Sequence, residues 1–309
     1  MTSSGRVLGL SCGQPDGSAE ILLKAALRAA EDAGAAVELV RLDDLRLPSG
    51  PDPAEPDDAE WFWEKLVDCD GWIISTPIIS RTVTARLKLL GDRLLGPNAD
   101  AAIIEELLAV RRAGGQPEVP FRVDERVLKP RVAGFLAVGG ALTPQWKTLT
   151  LPVMHTMTFS MHMSVVDQVQ VGGAGTPRSI VLDEAAVARA AELGSNVASQ
   201  LGRTWEDAEY RGQPGLCPLC HLSVVELLGT SVACATCGAR GELTPDLAVR
   251  WTDLTPSVIG MTEKRAHSAE IQETAAAHAA LRSAIDERAA AFTAYDRRVT
   301  PRTPLETFR

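Results

Sequence analysis

No stretch of about 20 consecutive apolar residues occurs in the 309-residue chain, so the sequence offers no helix that would span a membrane. A basic excess is missing as well. With 31 Lys and Arg against 40 Asp and Glu, the net charge is −9, which argues against a nucleic-acid partner because phosphate binding needs a basic surface. The opening Met1-Thr-Ser-Ser-Gly-Arg6 lacks the apolar core of a signal peptide, so a reducing, cytoplasmic setting is expected. Internal repeats and low-complexity tracts are also absent. What is present, 45% hydrophobic and 23% charged residues, describes a globular chain long enough for one sizeable core and an appendage.

The most specific chemical signature is a pair of C-x₂-C hooks, Cys217-Pro-Leu-Cys220 and Cys234-Ala-Thr-Cys237. Each hook turns two sulfurs toward a common point, and together they complete a tetrahedral thiolate shell of the kind Zn²⁺ accepts. Pro218 restricts the first hook, Gly238 follows the second, and Leu222–Leu228 with Ser231–Ala233 reads as a short hairpin, the pattern of a zinc ribbon. An iron–sulfur cluster also suits four thiolates, whereas paired disulfides do not suit a reducing compartment. A four-thiolate shell has no open position, so the metal is expected to be structural. His221 adjoins the quartet as a substitute ligand that four thiolates make unnecessary.

From residue 6 to about 202, β-rich apolar runs alternate with helical patterns, the layout of a doubly wound parallel α/β sheet. The five expected strands are Arg6–Leu10, Val37–Leu42, Gly71–Thr76, Arg131–Val138 and Ser164–Gln170. Helices are expected over Ala19–Ala33, Thr82–Leu95, Ala101–Arg112, Pro144–Met161 and Asp183–Leu201, with Asp183 as an N-cap. Pro48–Asp58 reads as irregular. After a polar link near Thr204–Pro214 and the ribbon, Thr262–Arg297 reads as one long helix with a seven-residue seam of Ile271, His278, Ile285 and Phe292. That seam requires either the chain's own core or a second subunit to cover it. The expected division is a core over 1–204, a ribbon over 205–260 and a helical extension over 261–309.

In an open parallel sheet the ligand site lies at the carboxyl ends of the strands. The first such loop, Ser11-Cys-Gly-Gln-Pro-Asp-Gly-Ser18, leads into a helix whose amino end suits a phosphate. It is neither a G-x-G-x-x-G fingerprint nor a Walker loop. Here Val7–Glu20 resembles the first strand and phosphate loop (G-S-P-R-x-x-G-N-T-E) of the flavodoxin-like NAD(P)H-dependent FMN reductases, a group that includes multimeric flavodoxins and iron–sulfur flavoproteins. Asp70-Gly-Trp-Ile-Ile-Ser-Thr-Pro77, with Ala85-Arg-Leu-Lys88 and Asp92-Arg93, is similar to the family's second loop and its trailing helix, and Val138-Gly-Gly-Ala141 resembles its glycine-rich turn. The resemblance covers residues 5–202 and implies a flavodoxin-like five-stranded parallel sheet. It places Ser11, Cys12, Gln14, Gly17, Ser18 and Ala19 around the FMN phosphate, Pro77, Ile78, Ile79 and Thr82 along the isoalloxazine, and Gly139 and Gly140 at its far edge.

This chain departs from the family at several of these positions. Gln14 stands for Arg, Ala19 for a phosphate-binding Thr, and Ile79-Ser80-Arg81 for Tyr-Trp-Gly. Arg81 is then available for a phosphate or an anionic substrate, and Trp146 for a ring from another direction. Met154, Met157 and Met161 read as core. His155 and His162, without an acidic partner nearby in sequence, read as structural before flavin- or substrate-contacting. Cys12 at a helix amino end has no His–Asn or His–Asp support as a nucleophile, and Cys69 reads as buried. Asp43-Asp44 reads as a loop cap.

The function these features imply is an FMN-dependent oxidoreductase that passes electrons from NAD(P)H to a quinone-like or other small organic acceptor, working as a homodimer or higher homo-oligomer. Two alternatives stand beside it: a non-catalytic flavodoxin-fold assembly or regulatory protein with weak flavin binding, and an electron carrier without pyridine-nucleotide activity.

Overall fold

The computed structural model describes residues 5–48, 55–293, 295 and 297. Five parallel strands, β1 (Arg6–Ser11), β2 (Ala36–Arg41), β3 (Gly71–Pro77), β4 (Val132–Val138) and β5 (Ser164–Val171), hydrogen-bond in the order β2-β1-β3-β4-β5. All five expected strands are present, and the order is that of a flavodoxin-like sheet, with its topological switch between β1 and β3. The strands are buried on both faces with period-2 alternation. Leu8, Leu10, Trp72, Ile74 and Phe135 enter one core, while Val7, Ile73, Leu136 and Val138 enter the other.

Helices α1 (Ser18–Asp32) and α6 (Glu184–Ser199) cover the second face, packing Leu22, Leu23, Ala26, Leu193 and Val197. They lie backbone to backbone. A Cβ on Gly194 would sit 1.9 Å from the Ala26 carbonyl oxygen, so no larger residue fits there without separating the helices. The first face carries α2 (Ala59–Asp68), α3 (Ala85–Leu94), α4 (Ala101–Arg112) and α5 (Thr150–His155), which contribute Phe62, Leu66, Leu87, Leu90, Ile104 and Met154. Thr84 and Asp183 cap α3 and α6 by accepting from Leu87 N and Ala186 N, as the helix-start chemistry requires.

Two expectations need correction, and one helix was not expected. The single helix over Pro144–Met161 is instead a 3₁₀ turn at Pro144–Trp146, the six-residue α5, and turns beyond it. The hydroxyls of Thr156 and Thr158 bond back to the carbonyls of Val153 and His155 at 2.7 and 2.9 Å, and His162 takes a left-handed φ of 52°, so the chain curls while its methionines still reach the core. Helix α2 had no counterpart in the sequence reading. The long C-terminal helix is two helices, α7 (Met261–Ala280) and α8 (Arg282–Thr293), broken at Leu281. In Pro48–Asp58, residues 49–54 lie outside the described set, and Pro48 and 55–58 are irregular as expected.

The appendage is a four-stranded antiparallel sheet, β6 (Val225–Leu228), β7 (Ser231–Cys234), β8 (Arg240–Leu243) and β9 (Val249–Asp253), in sequential order. The expected hairpin is its first half. Residues up to Arg265, parallel sheet and appendage together, form one compact unit, and those from Ala266 onward form a second. No helix among the described residues is long and apolar enough to cross a membrane.

Candidate active site and cysteine centre

The chain leaves β1 at the switch point. Cys12 N–H donates to the Ser75 carbonyl at 2.8 Å, and Gly17 N–H closes the turn on the Gln14 carbonyl at 2.9 Å. A Cβ on Gly13 would lie 3.2 Å from Ala19 Cβ and 3.4 Å from Pro77 Cδ, so the loops after β1 and β3 already touch. Gly17 caps α1 without any side-chain bond, which leaves first-turn N–H groups open at the amino end of a 15-residue helix. The loop thereby brings together Ser11, Cys12, Gln14, Gly17, Ser18 and Ala19 in a cradle at the amino end of α1, where Ser11, Cys12 and Ala19 are buried and the Ser11 hydroxyl is directed to Glu20 at 3.4 Å.

Beneath this cradle lies a feature the sequence reading missed. The Glu20 carboxylate is wholly buried and accepts from Arg41 Nε and Nη at 2.8 and 2.7 Å, with Lys24 Nζ also 2.7 Å away. The Arg41 hydrogen bonds hold its carboxyl down to about 2, against the cost of burial. Lys24 also pairs with Asp16 at 2.7 Å. The two cations nearest the cradle are therefore already engaged by carboxylates, and an incoming phosphate meets neutral donors. The available sequence signal was a carboxylate on the otherwise apolar face of α1.

After β3 the chain makes a two-residue hairpin. Ile79 and Thr82 exchange backbone bonds at 2.9 and 3.0 Å, and the intervening Ser80 and Arg81 both have left-handed φ, 46° and 74°. Such a turn favours Asn-Gly, and two ordinary side chains here store strain. Its neighbours fix the hairpin in place. Ile78 N–H donates to Val138 O at 2.8 Å, Thr150 Oγ1 donates to Arg81 O at 3.0 Å, and Arg81 Nε donates to Gln145 O at 2.8 Å. Arg81 and Trp146 are thus brought to adjoining positions at the carboxyl ends of the strands.

Gly139 packs on Ile78, where a Cβ would come within 3.0 Å of the Ile78 Cβ, and Gly140 faces Gly175, whose Cα would lie 3.0 Å from an added Cβ. The loops after β3, β4 and β5 therefore form one continuous edge. The Gly172-Gly-Ala-Gly175 run after β5 belongs to this edge and was missed, although its glycine density directly after an apolar strand was a readable signal.

Other candidates lie elsewhere or are inert. Cys12 is buried and burial pushes its thiol well up, which removes it as a nucleophile; burial raises Cys69 to about 12. Asp43 and Asp44 close a 3₁₀ turn, with Asp43 paired to Arg86 at 3.5 Å. Both core histidines face the appendage. His155, buried and pushed down to about 4 by desolvation, meets Gln168 Oε1 through Nε2 at 2.9 Å, while His162 meets Ile259 O at 2.9 Å and stacks on Trp205.

The four cysteines converge. Cys217 and Cys237 sulfurs are 3.6 Å apart, Cys220 and Cys234 are 3.4 Å apart, and all four lie within 4.8 Å of one another, fully buried. A tetrahedron with about 2.3 Å metal–sulfur bonds has an edge of about 3.8 Å, so the quartet fits a closed thiolate shell. His221 and Gly238, with φ of 55° and 85°, turn the two hooks back on themselves. His221 is not part of the quartet; its ring stacks on Tyr210. Gln168 Nε2 donates to Cys220 O at 2.7 Å, so His155, Gln168 and the first hook form one chain of bonds between sheet and appendage.

With that geometry in view, likenesses to known proteins fall into place. A family model for NADPH-dependent FMN reductases matches residues 6–175, which span β1 to the glycine run after β5. The chain is 38% identical over 258 residues to flavone synthase cfoJ of Aspergillus candidus, covering 77% of this chain and 78% of that protein. A solved flavone reductase superposes with a TM-score of 0.79 at 28% identity, covering 96% of this chain and 99% of that one. Family match, relatives and strand order agree that this oxidoreductase belongs to the NADPH-dependent FMN reductase family.

Proposed function

We propose that this enzyme exchanges hydride between NADPH and a carbon–carbon bond conjugated to the ketone of a flavone-type compound, with FMN between them. The observation that carries this reading is the extent of the likeness. Nearly the whole chain, appendage included, aligns with nearly the whole of a flavone reductase, and the second relative is named for making a flavone. These two names point to one substrate class and opposite directions, so the reading fixes the bond and leaves the direction to the ambient redox balance.

When bound, FMN supplies the hydride-transferring ring, and the chain's part is to hold and orient it. The first-turn N–H groups of α1, with Gln14, Gly17 and Ser18, would hold its phosphate. Pro77, Ile78, Ile79 and Thr82 would border the ring, and Gly139 and Gly140 would let the chain approach its far edge. The cysteine quartet holds Zn²⁺ as a structural ion in this reading. Exposed seam residues Ile271, Ile285 and Phe292 of the C-terminal helices suit contact with a second subunit. Membership of an enzyme family removes the support for a non-catalytic role.

The test is anaerobic incubation of the purified yellow holoenzyme with NADPH and a flavone such as chrysin. Bleaching of the flavin band near ~450 nm followed by loss of chrysin is the expected course. A bleached enzyme that leaves both chrysin and its flavanone unchanged would sink the substrate assignment.

A further inference from the structure

The strained hairpin at Ser80-Arg81 calls for a reason beyond packing. Left-handed backbone at two successive non-glycine residues costs free energy, and such strain collects where a side chain must be aimed. Arg81 is the residue so aimed. Its backbone oxygen is held by Thr150 and its Nε by the Gln145 carbonyl, which tethers the guanidinium through one of its nitrogens. Among the described residues no carboxylate forms an ion pair with Arg81, whereas Arg41, Arg46, Arg86, Arg93, Arg122 and Arg126 each have one.

Its surroundings complete a site. Ile79, on the same hairpin, is 54% exposed, and Leu142 and Trp146, on the loop that Arg81 grips, are 78% and 55% exposed. A fixed cation bordered by exposed flat and branched apolar surface, at the carboxyl edge of the sheet, suits a planar aromatic molecule bearing one electron-rich oxygen.

We propose that Arg81 is the electrophile of the acceptor site. Its guanidinium binds the ketone oxygen of an aryl-conjugated enone and neutralises the enolate formed there. This deepens the flavone-type reading and rests on it. As hydride supplied through the NADPH-dependent activity adds to the β-carbon, the carbon–carbon π pair moves onto the α-carbon and ketone oxygen, giving an enolate. A proton from water then completes the α-carbon. The net change is reduction of the double bond by two electrons and two protons' worth of hydrogen, and the reverse sequence oxidises the saturated ketone. A preorganised donor at developing oxyanion charge is worth about 10²–10³ in rate.

Arg81→Gly separates chemistry from folding, because glycine adopts φ of 74° freely and relieves strain while deleting the cation. The expected results for its holoenzyme are a melting temperature no lower than wild type, unchanged FMN occupancy, weaker chrysin binding by tryptophan fluorescence, and kcat down about 10²-fold with chrysin and menadione. Arg81→Lys, which keeps the charge but not the planar fork, should recover part of that loss. An Arg81→Gly enzyme that retains full kcat on an acceptor reduced by wild type overturns the assignment of Arg81 and leaves the functional reading intact. A wild-type enzyme that reduces neither acceptor overturns both.

Discussion

At the scale of single residues, charge placement around the cradle after β1 bears on stability and, in the FMN-binding role proposed for it, on cofactor affinity. Glu20 is buried and its carboxyl sits near 2, below its ordinary 4.5. The stabilisation it gives is complete above pH 4.5 and is lost as pH falls through about 2, because the unfolded chain takes up the proton first. Glu20→Gln should cost about 2–3 kcal/mol near neutral pH and flatten the acid limb between 4.5 and 2, measured by urea unfolding at a series of pH values. Asp16 acts oppositely on the ligand. It adds negative charge at the lip of the cradle and engages Lys24, so Asp16→Asn should lower the Kd for FMN about three- to tenfold, read by flavin fluorescence quenching. Asn tolerates the left-handed φ of 54° at this position, so the change tests charge rather than fold.

At the scale of elements, directed hydrogen bonds reinforce the apolar join between parallel sheet and appendage. Gln168 on β5 accepts from His155 and donates to the carbonyl of Cys220. Gln168→Leu strands a buried carbonyl and a buried imidazole together, and should lower stability by about 2–4 kcal/mol and, with the quartet holding Zn²⁺ as proposed, speed its release to a chelator, followed by a colorimetric zinc assay. This same join shows why some of the molecule was legible in sequence and some was not. Strands β1 to β5 could be read because each is a short β-rich run closed by turn residues, and the hooks could be read because metal chemistry fixes their spacing. The segment after Trp146 was misread as one helix because its methionines recur at helical spacing; it is curled by local bonds from the Thr156 and Thr158 hydroxyls to carbonyls three residues back, and by one tertiary bond, His162 to Ile259, that no local pattern announces. Arg81 was legible as a departure from its family, but its left-handed backbone and its grip on Gln145 were not, since neither leaves a local pattern. Glu20 and Arg41 are 21 residues apart, and only the β1-β2 pairing brings them together.

At the scale of the molecule, the cysteine centre shares a core with the catalytic fold. All four cysteines, with Leu222, Ala239 and Ile259, belong to the same apolar cluster as Trp72, Phe135 and Met161. Metal removal should therefore weaken the whole first unit. Cys234→Ser, or prolonged treatment with a strong chelator, is expected to lower the melting temperature of the flavin-binding sheet and to release FMN, followed by calorimetry with flavin fluorescence; a ribbon that melts alone while the sheet melts unchanged would contradict this.

The link that follows α6 has an equally broad consequence. Arg211 N–H donates to the carbonyl of Val166 at 2.7 Å, which places the link along the open side of the outermost strand. On the ribosome, β5 emerges about 45 residues before this cover, and longer still before the second cysteine hook. Until those residues arrive, the sheet presents an unpaired rim. For a quartet that holds Zn²⁺ as proposed above, zinc supply during synthesis is then expected to change the yield of folded protein, measured as soluble protein from cells grown with and without added zinc.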